Sequence, residues 1–201
     1  ITGWWGILGL IGWGYLAASM IYVAFRDSVV WTAVAVIFFL VINILDQSGV
    51  LGFLNPLRPS LGILIQGNVP LIVLTGMLAG VLIRKMKESG NMKILLMFIA
   101  LGAVSLAMGF FLRKWFIISK IMATPSWGMI CSGISFLVFA AIYWLADVRG
   151  LTGWAGFVRP AGKHSLTTYL APDILYHALW MSAIPVLFYK QSSEPVVVII
   201  G

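Results

Sequence analysis

The sequence predicts an all-α fold: a polytopic transmembrane helical bundle of about six spans, with the beginning of a seventh. Three observations carry this. Of 201 residues, 61% are hydrophobic and 9% are charged, against roughly a quarter charged in an ordinary soluble domain. The apolar residues fall in continuous runs, near the roughly 20 residues a helix needs to cross the hydrocarbon core. The runs do not alternate as barrel strands would, and lipid leaves a spanning backbone only helix or closed barrel. A soluble enzyme, a disordered segment and a disulfide scaffold are thereby excluded.

The spans follow in order. The first runs from Gly3 to Phe25 and stops at Arg26-Asp27. The second runs from Val29 to Leu45 and stops at Asp46-Gln47. A long loop is expected from Ser48 to Gly67, with Asn55-Pro56 and Arg58-Pro59 as turn signals. Span three, Val69 to Ile83, ends at the charged stretch Arg84-Lys85-Met86-Lys87-Glu88. Span four, Ile94 to Leu112, ends at Arg113-Lys114, and Trp115 to Thr124 is semi-polar and suits the membrane interface. Span five begins at Pro125, whose missing N–H costs nothing in a first helical turn, and reaches Leu145. A loop from Asp147 to Lys163 leads to span six, Ser165 to Phe188. Pro195 to Gly201 reads as the start of a further span, and the chain begins with Ile and apolar sequence. The expectation is one transmembrane helical domain over residues 1–201, the interior or C-terminal portion of a longer membrane protein.

A net charge of +7 does not indicate nucleic-acid binding here, because the basic residues are spread over short loops. Loops one, three and five hold Arg26, Arg84, Lys85, Lys87, Lys93, Arg149, Arg159 and Lys163, eight in all; the other set holds Arg58, Arg113, Lys114, Lys120 and Lys190, five. The excess favours the first set as cytoplasmic. Gly3, Gly6, Gly9 and Gly12, and the pair Gly76 and Gly80, read as helix-packing faces. Cys131 has no partner for an internal disulfide.

Three polar clusters could carry function. The first is Gln66-Gly67-Asn68 at the outer mouth of span three, where Asn68 can donate and accept; a plain helix cap is the alternative. The second is Ser119-Lys120 through Thr124-Pro125-Ser126-Trp127. Lys120, Ser126 and Trp127 would hold a polar ligand there, or the stretch is an interfacial anchor with Thr124 as N-cap. The third runs from Arg159 through Gly162, Lys163, His164 and Ser165 to Tyr169. A basic, glycine-containing turn that opens a helix can receive a phosphate, or it is a snorkelling loop with capping hydroxyls. Asp173 lies two turns inside span six, where a buried carboxylate needs a partner. No zinc pattern, phosphate-binding glycine motif or nucleophile elbow occurs, so no metal is expected.

The stretch Phe116-Ile117-Ile118-Ser119-Lys120-Ile121-Met122-Ala123-Thr124-Pro125-Ser126-Trp127 resembles a signature of the heparan-α-glucosaminide N-acetyltransferase family. Three further blocks agree in order: Ile7 to Leu16; Leu61-Gly62-Ile63-Leu64 with Gly67-Asn68, running into Gly76 and Gly80; and Asp147 to Leu151 followed by Gly162 to Tyr169. The resemblance implies an integral membrane enzyme that takes acetyl from cytoplasmic acetyl-CoA, as co-substrate, to an amino sugar of glucosamine type across the membrane. For a bacterial member this implies the inner membrane. Asn68, Lys120, Ser126 and Trp127 would then face the sugar, and Arg159, Lys163, His164, Ser165 and Tyr169 the CoA. Two departures are visible: His164 stands where the family often has Asn, and Ser60-Leu61-Gly62 lacks the Glu often found in the glycine-rich block. The family's catalytic His and its Asp-Arg-Gly motif would lie upstream of Ile1, and this stretch alone would be inactive. The alternatives are a small-solute transporter, for which no internal repeat is apparent, and a non-catalytic membrane scaffold. Partners are the lipid bilayer and the two substrates, not nucleic acid; homo-oligomerisation is left open.

Overall fold

A computed structural model describes residues 6–181. The described chain is helical, with no strand. It divides into two compact units, Ile1–Gly150 and Leu151–Gly201.

In the first unit α1 (Ile7–Phe25) and α2 (Val29–Gln47) are joined by a short turn of residues 26–28. Ser28 starts α2 by accepting the Trp31 N–H on its hydroxyl, the ordinary N-cap device. After α2 the chain passes through a 3-10 stretch, Val50–Leu57, into a short α3 (Arg58–Gln66). Gly67, at φ +72°, breaks the helix, and α4 (Asn68–Met86) begins at once. A 3-10 turn, Lys87–Ser89, leads to α5 (Asn91–Leu112), and α6 (Pro125–Tyr143) ends in a π turn, Trp144–Val148. In the second unit α7 (Ala155–Lys163) and α8 (Ser165–Met181) follow one another across His164.

Among the described residues four helical stretches are long and apolar enough to cross a membrane: Val29–Gln47, Val50–Ser89, Asn91–Leu112 and Pro125–Val148. The described apolar part of α1 is shorter, Gly9–Phe25. This is an integral membrane helical bundle. The expected span six is described as far as Met181; its remainder, and the expected seventh, lie outside the described residues.

Two expected loops are helical. Ser48–Gly67 contains the 3-10 stretch and α3, and Asp147–Lys163 contains the last two residues of the π turn and all of α7. Both were disguised by prolines and glycines. Pro59 sits in the first turn of α3, where it costs no hydrogen bond.

The core is two apolar clusters. Ala17 and Ala18 of α1, Ala35 and Phe39 of α2 and Leu71 and Leu74 of α4 form one. Ile94, Leu95 and Phe98 of α5 with Phe136 and Ala140 of α6 form the other. The helices approach most closely at glycines other than those expected. A Cβ on Gly109 would lie 2.9 Å from the Ile130 nitrogen, and one on Gly133 would lie 3.0 Å from the Gly102 carbonyl. Such contacts let α5 and α6 pack backbone to backbone, the form of association lipid permits. By contrast, among the described residues nothing lies within 4 Å of a Cβ added to Gly6, Gly12, Gly76 or Gly80, and Gly3 lies outside the described residues. The reason for α4 is its rotation: it turns Leu71, Leu74 and Thr75 inward, and Gly76 and Gly80 fall on the opposite face.

Candidate functional site: a buried amide cluster

The first unit has two ends. One gathers Asp27, Arg84, Asn91 and Asp147. The other gathers the last turns of α2, the α3–α4 break and the turn before α6, and it holds the polar residues singled out in the sequence.

Gly67 builds this second end. Its left-handed conformation ends α3 and lets α4 start at once while the chain is pressed against α2. A Cβ there would stand 2.8 Å from the Phe39 carbonyl and 3.2 Å from the Asn43 nitrogen. That contact sets the Gln66 carbonyl beside Asn43. The Asn43 amide, fully buried, donates to the Gln66 carbonyl at 2.7 Å and to the Ala123 carbonyl at 3.0 Å. Its oxygen accepts from Asn68 Nδ2 at 3.3 Å, and Asn68 also donates to the Thr124 carbonyl at 3.0 Å. Gly128 of α6 passes so close that its Cβ would lie 2.7 Å from Asn68 Nδ2. Asn68 Oδ1 is buried and has no hydrogen-bond partner among the described residues.

The turn of residues 113–124 is held by its carbonyls. Gln47 donates to the Met122 carbonyl at 2.8 Å, and the Ser126 hydroxyl donates to the Ile117 carbonyl at 2.9 Å. Thr124 Oγ1 accepts the Ser119 N–H at 3.1 Å and lies 3.2 Å from Ser126 Oγ. Side chains of α2, α4 and α6 thus satisfy main-chain groups of an irregular segment, which a membrane protein must do wherever its backbone leaves the helix. Beside the cluster, Arg58 of α3 pairs with Asp46 of α2, whose side chain is 5% exposed. Arg58 also donates to Asn55 Oδ1 at 2.8 Å.

Of the residues expected to face a sugar, Asn68 and Ser126 are both buried and are joined through Thr124. Neither caps its helix: the α4 N-cap is Gly67, and Thr124, at the α6 N-cap, makes no side-chain capping bond. Lys120 is exposed on the adjoining turn, where its carbonyl accepts the Ala123 N–H at 3.1 Å. Trp127 is half-buried in the first turn of α6. Asn43, whose amide reaches three partners, Gln66, Ala123 and Asn68, was not singled out. An amide standing alone in the run Val41-Ile42-Asn43-Ile44-Leu45 is the signal that finds it, because an intramembrane polar group needs a partner.

The third cluster lies in the second unit. Arg159 and Lys163 are in α7, not in a turn; His164 is the break, and Ser165 and Tyr169 are in α8. All five are exposed. Thr168 fastens the break, its hydroxyl donating to the His164 carbonyl at 3.0 Å. Asp173, expected to be buried, is exposed; its carbonyl lies 2.8 Å from His177 Nδ1.

The amide cluster is neutral: two carboxamides, two hydroxyls and main-chain carbonyls. It can orient hydroxyl or amide groups, and it offers no acid or base of its own. No family model matches the chain, and no curated protein and no solved structure matches it either.

Proposed function

We propose that the chain is the membrane-embedded part of an acetyltransferase that passes acetyl from cytoplasmic acetyl-CoA to a glucosamine-type amino sugar across a bacterial inner membrane. One observation supports the reading above others. Two of the stretches that resemble the heparan-α-glucosaminide N-acetyltransferase family, Leu61–Asn68 and Phe116–Trp127, meet in one buried cluster, with Asn68 Nδ2 3.0 Å from the Thr124 carbonyl.

In this reading the thioester C–S bond breaks, an amide C–N bond forms, and the proton lost by the sugar amine goes to a base outside this stretch. Lys120, exposed beside the cluster, faces the sugar. Its cation disfavours a protonated amine nearby, which keeps the nucleophile neutral. Asn68, Ser126 and Trp127 shape the mouth. Arg159 and Lys163 take CoA phosphates through charge-assisted bonds, with His164, Ser165 and Tyr169 at the break between α7 and α8.

Two variants of the intact enzyme test the division of labour. Lys120→Met is expected to raise the KM for sugar and lower kcat at unchanged protein level. Arg159→Glu with Lys163→Glu is expected to raise the KM for acetyl-CoA and spare that for sugar. Unchanged constants in both would remove the reading.

A second reading rests on the break at Gly67. Discontinuous helices that bring unpaired polar groups inside a bundle are a habit of small-solute transporters. Solute uptake into proteoliposomes without acetyl-CoA, lost in Asn68→Leu, would favour it.

A further inference from the structure

Helix α7 does not have the composition of a helix that holds itself together. It is nine residues long and contains Pro160, Gly156 and Gly162. Isolated helices below about 12–15 residues are marginal in water even when rich in alanine, and glycine and proline weaken them further. Its helical form therefore calls for a surface to fold upon.

The residues say which surface. At 3.6 residues per turn, Trp154, Phe157, Val158 and Ala161 share one face, and Arg159 and Lys163 fall on the other. The apolar face is open: Phe157 is 93% exposed, with Val158 and Trp154 exposed beside it. No Asp or Glu occurs between Val148 and Pro172, while Arg149, Arg159 and Lys163 do. In sequence, α7 starts seven residues after the membrane-crossing stretch that ends at Val148. An aromatic face opposed to a wholly basic one is the pattern of a helix lying in the plane of a membrane interface.

We propose that α7 lies on an anionic bilayer surface, with Trp154, Phe157 and Val158 among the upper acyl chains and Arg159 and Lys163 at lipid phosphates. The helix is then a membrane-surface sensor, because its seating depends on lipid charge. The proposal does not depend on the acetyltransferase reading, although it uses two of the same cations.

The test uses the full chain in nanodiscs, with Cys131→Ser and single cysteines for labelling. A nitroxide at Phe157→Cys is expected to be more accessible to oxygen than to a water-soluble nickel chelate. Labels at Gly156→Cys and Gly162→Cys, where an added Cβ meets nothing within 4 Å, should show the reverse. A fluorophore at the Phe157→Cys site should be quenched more by doxyl-phosphatidylglycerol than by doxyl-phosphatidylcholine. Arg159→Gln with Lys163→Gln should cut that preference by roughly fivefold per cation, and Arg159→Lys with Lys163→Arg should keep it. A label at 157 shielded from both relaxers would mean that protein covers this face, and the proposal falls. A label at 157 in water, or a lipid preference indifferent to both cations, overturns it equally. If the double Gln variant changes only the KM for acetyl-CoA, the cations serve the cofactor and not the membrane.

Discussion

Where Asp27 meets Arg84, the groups that tie helices together are charged and open to water; where Asn43 meets Asn68, they are neutral and sealed. The first end joins the α1–α2 turn to the end of α4, with Arg84 also taking the Tyr22 hydroxyl at 3.2 Å. Its partner groups are about half exposed. Nearby, Tyr143 donates to Asn91 Oδ1 at 3.2 Å, and Asn91 donates to the Asp147 carbonyl at 3.0 Å. The second end joins α2, α4 and α6 through amide donors and main-chain acceptors with almost no exposure. The difference teaches that bond count is a poor guide to what holds the bundle. An exposed ion pair competes with water and contributes little. A sealed amide has no water to fall back on, so losing its partner leaves carbonyls stranded.

The comparison can be broken at its strongest point first. Asn43→Leu strands the Gln66 and Ala123 carbonyls and a donor of Asn68 together, with an expected loss of about 3–4 kcal/mol, read as the unfolding midpoint in mild detergent. A loss below about 1 kcal/mol would mean that water already reaches the cluster. Gly67→Ala comes next. Left-handed backbone costs a side chain about 1–2 kcal/mol, and the contact with the Phe39 carbonyl adds to it. Proteolysis within residues 50–66 should speed up in this variant, because the α3–α4 break would lift from α2. Arg58→Gln should cost about 1–3 kcal/mol, between the exposed and buried limits for an ion pair, since Asp46 is sealed and Arg58 is 37% exposed. The smallest effect belongs to the open end. Asp27→Asn is expected to leave the midpoint unchanged within error, in low or high salt. A large shift there would put the two ends on the same footing.

The bundle itself was legible in the sequence because long apolar runs have one solution in lipid. Helix ends were legible where charge stopped a run, as at Arg26-Asp27 and Arg113-Lys114. The helices α3 and α7 were not: Pro56 and Pro59 read as turn signals although the chain bends helically around them, and α7, which holds Pro160, fell in a segment read as a loop. The glycine seam of α5 and α6 was hidden for another reason. Gly102, Gly109 and Gly133 have no fixed short spacing, and only the helices' mutual rotation makes them neighbours. At the candidate site, Asn68 and Ser126 stood out as polar residues beside helix starts. Asn43 was passed over inside an apolar run, and its partner carbonyls lie 23 and 80 residues further on.

That last separation has a consequence for biogenesis. Asn43 enters the membrane within α2, but the Ala123 carbonyl it serves is 80 residues downstream. At about 5–20 residues per second of synthesis, the amide waits roughly 4–16 s for that acceptor. The α5–α6 seam waits less, since the Gly102 carbonyl and Gly133 are 31 residues apart. The nascent chain therefore carries an incompletely bonded amide through the insertion machinery until residue 123 appears, because the Gln66 carbonyl satisfies only one of its donors. Ribosome pausing before that point lengthens the interval in which α2 is free to slip back or bind a quality-control factor.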